Sequence, residues 1–219
     1  MRIVLLGPPG AGKGTQAERL AALTGARHLA TGDLVRAEIA AGTPLGHAIQ
    51  GYNDRGELVP DEIEVALIKP YLLTTESWIL DGFPRDEAQA GALDGILDEA
   101  GVRLDRVILL DCPDADLADR LLGRRKSVAT GITYNLILDP PPATDPGPYI
   151  RRTDDTPEDV GRRLEVYHTE TEPLVRCYSA RGLLTTIDAC SSMDATTEAI
   201  LQALGGVEAS RSPVTGQTA

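Results

Sequence analysis

A short apolar run, Arg2-Ile3-Val4-Leu5-Leu6, breaks at once into Gly7-Pro8-Pro9-Gly10-Ala11-Gly12-Lys13-Gly14-Thr15, and no other stretch limits the fold so tightly. The run has the length and character of a buried strand, and Lys13–Leu23 follows as a helix. A strand, a glycine-rich turn and a helix in that order aim several backbone N–H groups and the positive end of a helix dipole at one spot. That arrangement suits phosphate oxygens. Gly10, Ala11, Gly12 and Gly14 would form the cradle. Lys13 would reach the β and γ phosphates of a nucleotide, and Thr15 would help to hold Mg²⁺. The opening apolar run is too short for a signal sequence or a membrane span.

Further strand-like segments recur at Ser77–Leu80, Arg106–Asp111 and Leu183–Ile187. They alternate with helix-like segments at Asp86–Ala100, Asp114–Leu122, Pro157–Ala180 and Asp194–Leu204. The alternation predicts an α/β fold, a P-loop NTPase-type parallel sheet flanked by helices. Ligands in such folds bind outside the carboxyl ends of the strands. Two stretches break the rhythm. Residues 31–60 hold short helical pieces, and 125–151 is rich in Thr, Pro and Asp, as in Asp139-Pro140-Pro141-Pro142. Both are expected as insertions, since long irregular segments in compact domains often serve as active-site lids. The expected division is a discontinuous core (1–30, 61–123 and 164–204), insertions at 31–60 and 124–163, and a disordered tail at 205–219.

Charge narrows the partners. The net charge is −12, which argues against a nucleic-acid partner. Any anionic substrate must be met by local positive charge, and with 18 Arg against 3 Lys that task falls to arginine. The three cysteines form no C-x-x-C pair, so neither a zinc knot nor a disulfide framework is expected, and a reducing cytoplasm fits best.

Trp78-Ile79-Leu80-Asp81-Gly82-Phe83-Pro84-Arg85 is an apolar strand ending in an acid, a tight turn and an arginine. Asp81 sits where a Mg²⁺-associated carboxylate belongs, through water, and Arg85 can fork onto a phosphate. Gln89 follows four residues on, so it shares a helical face with Arg85 if Asp86 opens a helix. Arginines crowd both borders of the second insertion: Arg120, Arg124 and Arg125 before it, then Arg151, Arg152, Arg162 and Arg163 after it. Thr156-Pro157-Glu158-Asp159 reads as a capped helix start.

In the glycine loop Gly14 stands between Lys13 and Thr15, where the strict signature has Ser or Thr next to the lysine. This G-K-G-T form and the D-G-F-P-R run resemble the nucleoside monophosphate kinase family, its adenylate kinase branch above all, over roughly 1–188. The resemblance implies Mg-dependent phosphoryl transfer between ATP and AMP, giving ADP, by a cytoplasmic monomer. It implies an NMP-binding insertion at 31–60 and a lid at 124–163, without zinc because no cysteine lies there. It assigns Thr31, Arg36, Glu57, Leu58, Val59, Gly82, Phe83, Pro84 and Arg85 to AMP, with Gln89 reading adenine. It places Arg120 on the ATP base, Arg124 on its phosphates, Thr133, Tyr134 and Ser191 beside ATP, and Arg152 and Arg163 bridging donor and acceptor. Lys13, Arg85, Arg120, Arg124, Arg152 and Arg163 are thereby the catalytic set, and no general base is needed.

The lid departs from the pattern. Where the family carries G-R-x-Y-H, this chain reads Gly131-Ile132-Thr133-Tyr134-Asn135, and Asp188-Ala189 replaces the usual Asp-Gly. Three rival readings follow. One is a kinase for UMP, CMP or GMP, against which Gln89 and Thr31 argue. A second is a GTP switch, against which the missing N-K-x-D argues. The third is a nucleotide-binding regulatory module without turnover.

Overall fold

The computed structural model describes residues 1–54, 59–152 and 155–210. Five strands form one parallel sheet in the order β2-β3-β1-β4-β8: β1 Arg2–Leu6, β2 Arg27–Ala30, β3 Trp78–Asp81, β4 Arg106–Asp111 and β8 Leu184–Asp188. The chain leaves β1 for β2 and β3 on one side, then returns to β4 and β8 on the other. The crevice where the winding reverses therefore lies at the end of β1.

The strands are buried on both faces because their residues alternate. Val4 and Leu6, Trp78 and Leu80, and Val107 and Leu109 pack on one side, over α4 (Asp61–Thr74), α5 (Glu87–Glu99) and α8 (Pro173–Ala180). Ile3 and Leu5, Ile79, and Ile108 and Leu110 pack on the other, under α1 (Lys13–Thr24), α6 (Asp114–Gly123) and α9 (Met193–Ser210). β2 has no sequence counterpart above. Its four residues, Arg-His-Leu-Ala, form an edge and bury only Leu29 fully, so the apolar signal is weak.

Residues 31–54 form two helices, α2 (Thr31–Ala41) and α3 (Pro44–Asp54), which cross closely. A Cβ on Gly46 would lie 2.1 Å from the carbonyl oxygen of Glu38, so only glycine permits that approach. The second insertion holds a small antiparallel sheet, β6-β5-β7, from Arg124–Ser127 (β5), Thr133–Asn135 (β6) and Tyr149–Ile150 (β7). Asp145 pins it: the carboxylate accepts from Ser127 Oγ at 2.8 Å, Thr130 Oγ1 at 2.8 Å and the Gly147 N–H at 2.9 Å. These bonds hold Asp145 below the ordinary carboxylate range although burial works the other way.

The helix expected over 157–180 is broken in two. α7 runs Pro157–Val166, capped by Thr156 accepting from the Asp159 N–H at 3.1 Å, and a π-helical turn at Tyr167–Thr171 leads into α8. Pro173 explains the break: it has no N–H to donate, and its ring collides with a carbonyl one turn back in a regular helix. The wider turn, closed by Glu172 N–H to Tyr167 O at 2.8 Å, absorbs it. α9 continues to Ser210, past the boundary expected at 205, and 211–219 lie outside the described residues. Among the described residues no helix is long and apolar enough to cross a membrane.

The π turn carries His168, whose Nδ1 lies 2.8 Å from Glu172 Oε2 and whose Nε2 lies 2.9 Å from Asp114 Oδ2. Both nitrogens can donate only in the protonated ring, and the bonds to Glu172 and Asp114 raise its pKa above the usual 6.5. Stability gained this way is complete below the unfolded pKa and is lost as pH rises through the raised folded value. His168→Gln should therefore lower the melting temperature at about pH 6 and scarcely at about pH 9. Equal losses at both would contradict the ion-pair account.

Candidate active site

The glycine loop runs from the end of β1 into α1 as its sequence demands. Gly7, Gly10 and Gly12 have φ of 141°, 90° and 94°, a region that favours glycine. At Gly7 a Cβ would also sit 2.5 Å from the carbonyl oxygen of Leu110 on β4, so the loop lies flat against the sheet. Gly12 caps α1 without a side chain, which leaves the first N–H groups of the helix directed outward. Lys13 folds back over the loop, donating to Gly7 O at 2.5 Å and Pro8 O at 3.0 Å.

Lys13 is the focus of charge. Burial lowers its pKa to about 8; Asp81 works to raise it, and Arg163, Arg85 and Arg124 lower it further. The three arginines come from separate stretches: Arg85 from the turn after β3, Arg124 from the start of β5 and Arg163 from α7. The structure thus gathers four of the sequence-predicted cations into one field.

Each arginine is held by a carboxylate. Asp155, fully buried just before α7, takes Arg124 Nε on Oδ2 at 2.9 Å and the second Arg124 nitrogen on Oδ1. The same Oδ1 lies 3.4 Å from an Arg163 nitrogen, and the Asp155 carbonyl accepts from Arg151. Glu64 on α4 holds Arg85 at 3.5 Å, while Arg85 Nε donates to Gly82 O at 2.9 Å. Burial pushes Glu64 above the ordinary carboxylate range, against the pull of Arg85 and Gln89. Sequence reading missed both acids. Glu64 sits in a helix with other acids, and Asp155 in the run Thr153-Asp154-Asp155, where nothing separates a buried carboxylate from a solvated one.

Gln89 is also more engaged than expected. Asp86 caps α5 by accepting the Gln89 N–H at 2.8 Å. The Gln89 side chain is 3% exposed; its Nε2 donates to Asp61 at 2.7 Å and Glu64 at 3.0 Å, and its Oε1 accepts the Arg85 N–H at 2.9 Å. Two carboxylates and one N–H leave no choice in how the amide is oriented. Both donor hydrogens are spent, and one acceptor position on Oε1 remains.

Thr31 opens α2, fully buried, and donates to the carbonyl of Asp81 at 3.3 Å, joining the first insertion to the turn after β3. Arg36 pairs with Asp33 on the outer turn of α2. Burial raises Asp33, but Arg36, then Lys126 and Arg152, hold it below its usual range. Phe83 is 1% exposed and packs into the core, where its ring supports the turn, and Pro84 is buried beside it. Val59 is partly exposed before α4, whereas Glu57 and Leu58 lie outside the described residues.

On the far side, Arg120 donates to Ala189 O at 2.9 Å, tying α6 to the segment after β8. Ser191 in that segment bonds Asp188 at 3.1 Å. Asn135, which stands where the family pattern has histidine, donates to Arg120 O at 3.1 Å and accepts from the Ile137 and Leu138 N–H groups at 2.9 and 3.0 Å. Thr133 and Tyr134 pair across β5 with Lys126 and Arg125. His28, a third feature the sequence did not reveal, sits on β2 with Nε2 3.6 Å from Asp81 Oδ2.

Asp81 ends β3 beside the start of α1: its Oδ2 would be 3.4 Å from a Cβ on Gly14. A carboxylate there, with the Thr15 hydroxyl in the first turn of α1, offers hard oxygen donors of the kind Mg²⁺ takes while keeping most of its waters.

Comparison with known proteins covers most of the chain. The adenylate kinase family model matches residues 5–183. A curated adenylate kinase of Thermodesulfovibrio yellowstonii is 46% identical over 202 residues, covering 89% of this chain and 94% of that protein. Those of Streptomyces griseus and Gloeobacter violaceus are each 44% identical, over 213 and 216 residues; both cover 93% of this chain, and 97% and 98% of the respective relatives. On that family match and those identities the chain belongs to the adenylate kinase family.

Proposed function

We propose that the protein catalyses reversible, Mg-dependent phosphoryl transfer, ATP + AMP = 2 ADP. The observation that carries the reading is the convergence of Arg85, Arg124 and Arg163 on Lys13. A transferring phosphoryl group spreads negative charge over its oxygens, and its catalysis is mostly positioning and electrostatic stabilisation. Lys13 and the cradle Gly10–Thr15 hold the donor phosphates, with Arg120 on the donor base, Arg124 on its phosphates, and Thr133, Tyr134 and Ser191 nearby. Arg36 and Arg85 take the AMP phosphate, exchanging Asp33 and Glu64 for it. Arg152 and Arg163 span donor and acceptor. Mg²⁺, held by Thr15 and through water by Asp81, would neutralise charge on the donor phosphates. The acceptor is a phosphate monoester with a second pKa near 6, already ionised at neutral pH, so no side chain need remove a proton.

The free acceptor position on Gln89 Oε1 suits the exocyclic amine of adenine, which donates there, and disfavours a base presenting a carbonyl oxygen at that edge. Thr31 and Val59 would stand beside the same base.

The first test is direct. With ATP and Mg²⁺, the purified protein should form ADP rapidly when AMP is supplied and only slowly with GMP, CMP or UMP. A different preferred acceptor would overturn the pocket assignment. Tight ATP binding without turnover on any acceptor would favour a regulatory module instead.

Lys13 carries a sharper prediction. An ammonium whose pKa falls from 10.5 to about 8 costs the folded state on the order of 3 kcal/mol at neutral pH, because the unfolded chain binds that proton more tightly. Lys13→Met should cut kcat by about 10²-fold or more and yet raise the melting temperature of the ligand-free protein. Near-normal turnover, or a lower melting temperature, would count against the account.

Asp155→Asn would leave Arg124 and Arg163 without their shared charge. We expect kcat to fall about tenfold or more through misplacement of both guanidinium groups, and stability to fall by about 3–5 kcal/mol. Lost stability with unchanged kcat would make Asp155 merely structural. Gln89→Ala should raise KM for AMP well above any change for ATP; parallel changes would remove Gln89 as the base reader.

A further inference from the structure

We propose that Cys112 and Cys190 form a reversible disulfide, closed by a peroxide and opened by thiol reductants, that displaces Arg120 on the donor side of the cleft. The two residues are 78 apart in the chain, yet their sulfurs lie 3.1 Å from each other. Strand register brings them together. β4 and β8 run parallel with Asp111 opposite Asp188, and the Ala189 N–H bonds Asp111 O at 2.8 Å, so both chains leave the sheet side by side. The sulfurs need close only about 1 Å to reach the ~2.05 Å of a disulfide. A zinc ion would ask the reverse: bonds of ~2.3 Å in a tetrahedron put two sulfurs about 3.8 Å apart. Asp116, the one further candidate ligand grouped with the two sulfurs, is exposed, as is Cys190.

The two thiols differ in access: burial and the neighbouring sulfur push Cys112 up to about 12, so the first attack falls to the exposed Cys190. Cys190 is exposed, and its sulfur lies 3.6 Å from Asp116 Oδ2, which can take its proton. Cys112 is buried at 5% exposure but lines a cavity of about 380 Å³ with Pro8 and Tyr167. Cys190 sulfur attacks hydrogen peroxide, the O–O bond breaks, and the departing hydroxide takes the proton held by Asp116. Cys112 sulfur then attacks the resulting sulfenic acid. The S–S bond forms, the S–O bond breaks, and the leaving hydroxide takes the Cys112 proton as water. Two thiols and one peroxide give one disulfide and two waters.

The consequence passes through Ala189. Its carbonyl accepts from Arg120 at 2.9 Å and it directly precedes Cys190, so drawing Cys190 toward Cys112 moves the anchor of Arg120. Arg124 and the acceptor-side residues share no such tether among the described residues. The effect on ATP rests on the proposed kinase activity; the bond itself does not, and counting thiols by mass separates the two.

The test uses the full chain, treated with hydrogen peroxide and then with dithiothreitol. Titratable thiols should fall from three to one, with a cross-linked peptide pair carrying Cys112 and Cys190, and recover on reduction. KM for ATP should rise by about threefold to a hundredfold, the span that a shift near 1 Å in a positioning group can produce, while KM for AMP holds. Cys177→Ser should respond as the parent does. Cys190→Ser and Cys112→Ala should keep basal activity under reductant and lose the response, and either variant suffices if the other folds poorly. The proposal is overturned by three persisting thiols, by Cys190 oxidised beyond sulfenic acid with Cys112 still free, or by a bond between two chains. A disulfide that leaves KM for ATP unchanged would overturn the link to Arg120.

Discussion

Bringing a lysine and three arginines within one another's field is unfavourable unless anions are built in with them, and this requirement organises the structure. At an effective dielectric near 20, like charges about 4 Å apart repel by about 4 kcal/mol. Asp81 answers Lys13, Glu64 answers Arg85, and Asp155 answers Arg124 and Arg163. Each acid comes from a different place: the end of β3, the helix after the first insertion, and the segment that closes the lid. The site is therefore where β3, α4 and the segment before α7 are joined. An overall charge of −12 and a cationic centre are two sides of one design.

The parallel sheet supplies the rigidity this needs. Asp81 and the glycine loop sit at adjacent strand ends because β1 and β3 pair in register, Leu5 opposite Asp81. Gly7 lies so close to Leu110 O that no side chain fits between the loop and the sheet. The cost is concentrated in Lys13, whose charge the folded protein tolerates poorly. In the proposed reaction that tension is relieved when phosphate oxygens replace Gly7 O and Pro8 O as acceptors for its ammonium group. Stability is drawn instead from regions remote from the chemistry, such as the Asp145 network in the lid and the Val4/Leu6 and Ile3/Leu5 faces of the core.

Much of this was legible in the sequence wherever a motif is local. The glycine loop, the D-G-F-P-R turn, the Thr156 cap and four of the five main strands all follow from contiguous residues. What stayed hidden depends on residues distant in sequence. Nothing in Thr153-Asp154-Asp155 marks Asp155 as the buried partner of two arginines, and Glu64 looks like one more acid on a helix. The cysteine pair was invisible because spacing along the chain says nothing about parallel strands 78 residues apart. Pro173 marked a place where the helix over 157–180 could be disturbed, but Pro70 sits within the unbroken α4, so a proline alone does not foretell a π turn.

The departures in the lid gain meaning from the same geometry. Asn135 does not stand in for a histidine against a base; its amide is consumed by Arg120 O and by the turn at Ile137 and Leu138. It thus fixes the helix end from which Arg120 projects. In the proposed reaction the donor base meets a guanidinium plane and little that reads its edge, and stacking favours any flat base. The acceptor base meets Gln89, whose orientation is imposed by Asp61, Glu64 and the Arg85 N–H. A fixed amide with one open acceptor discriminates between an amine and a carbonyl, because the wrong group leaves two oxygens facing each other without a proton between them. Base selectivity on this account belongs to the AMP side, and the donor side contributes position and charge.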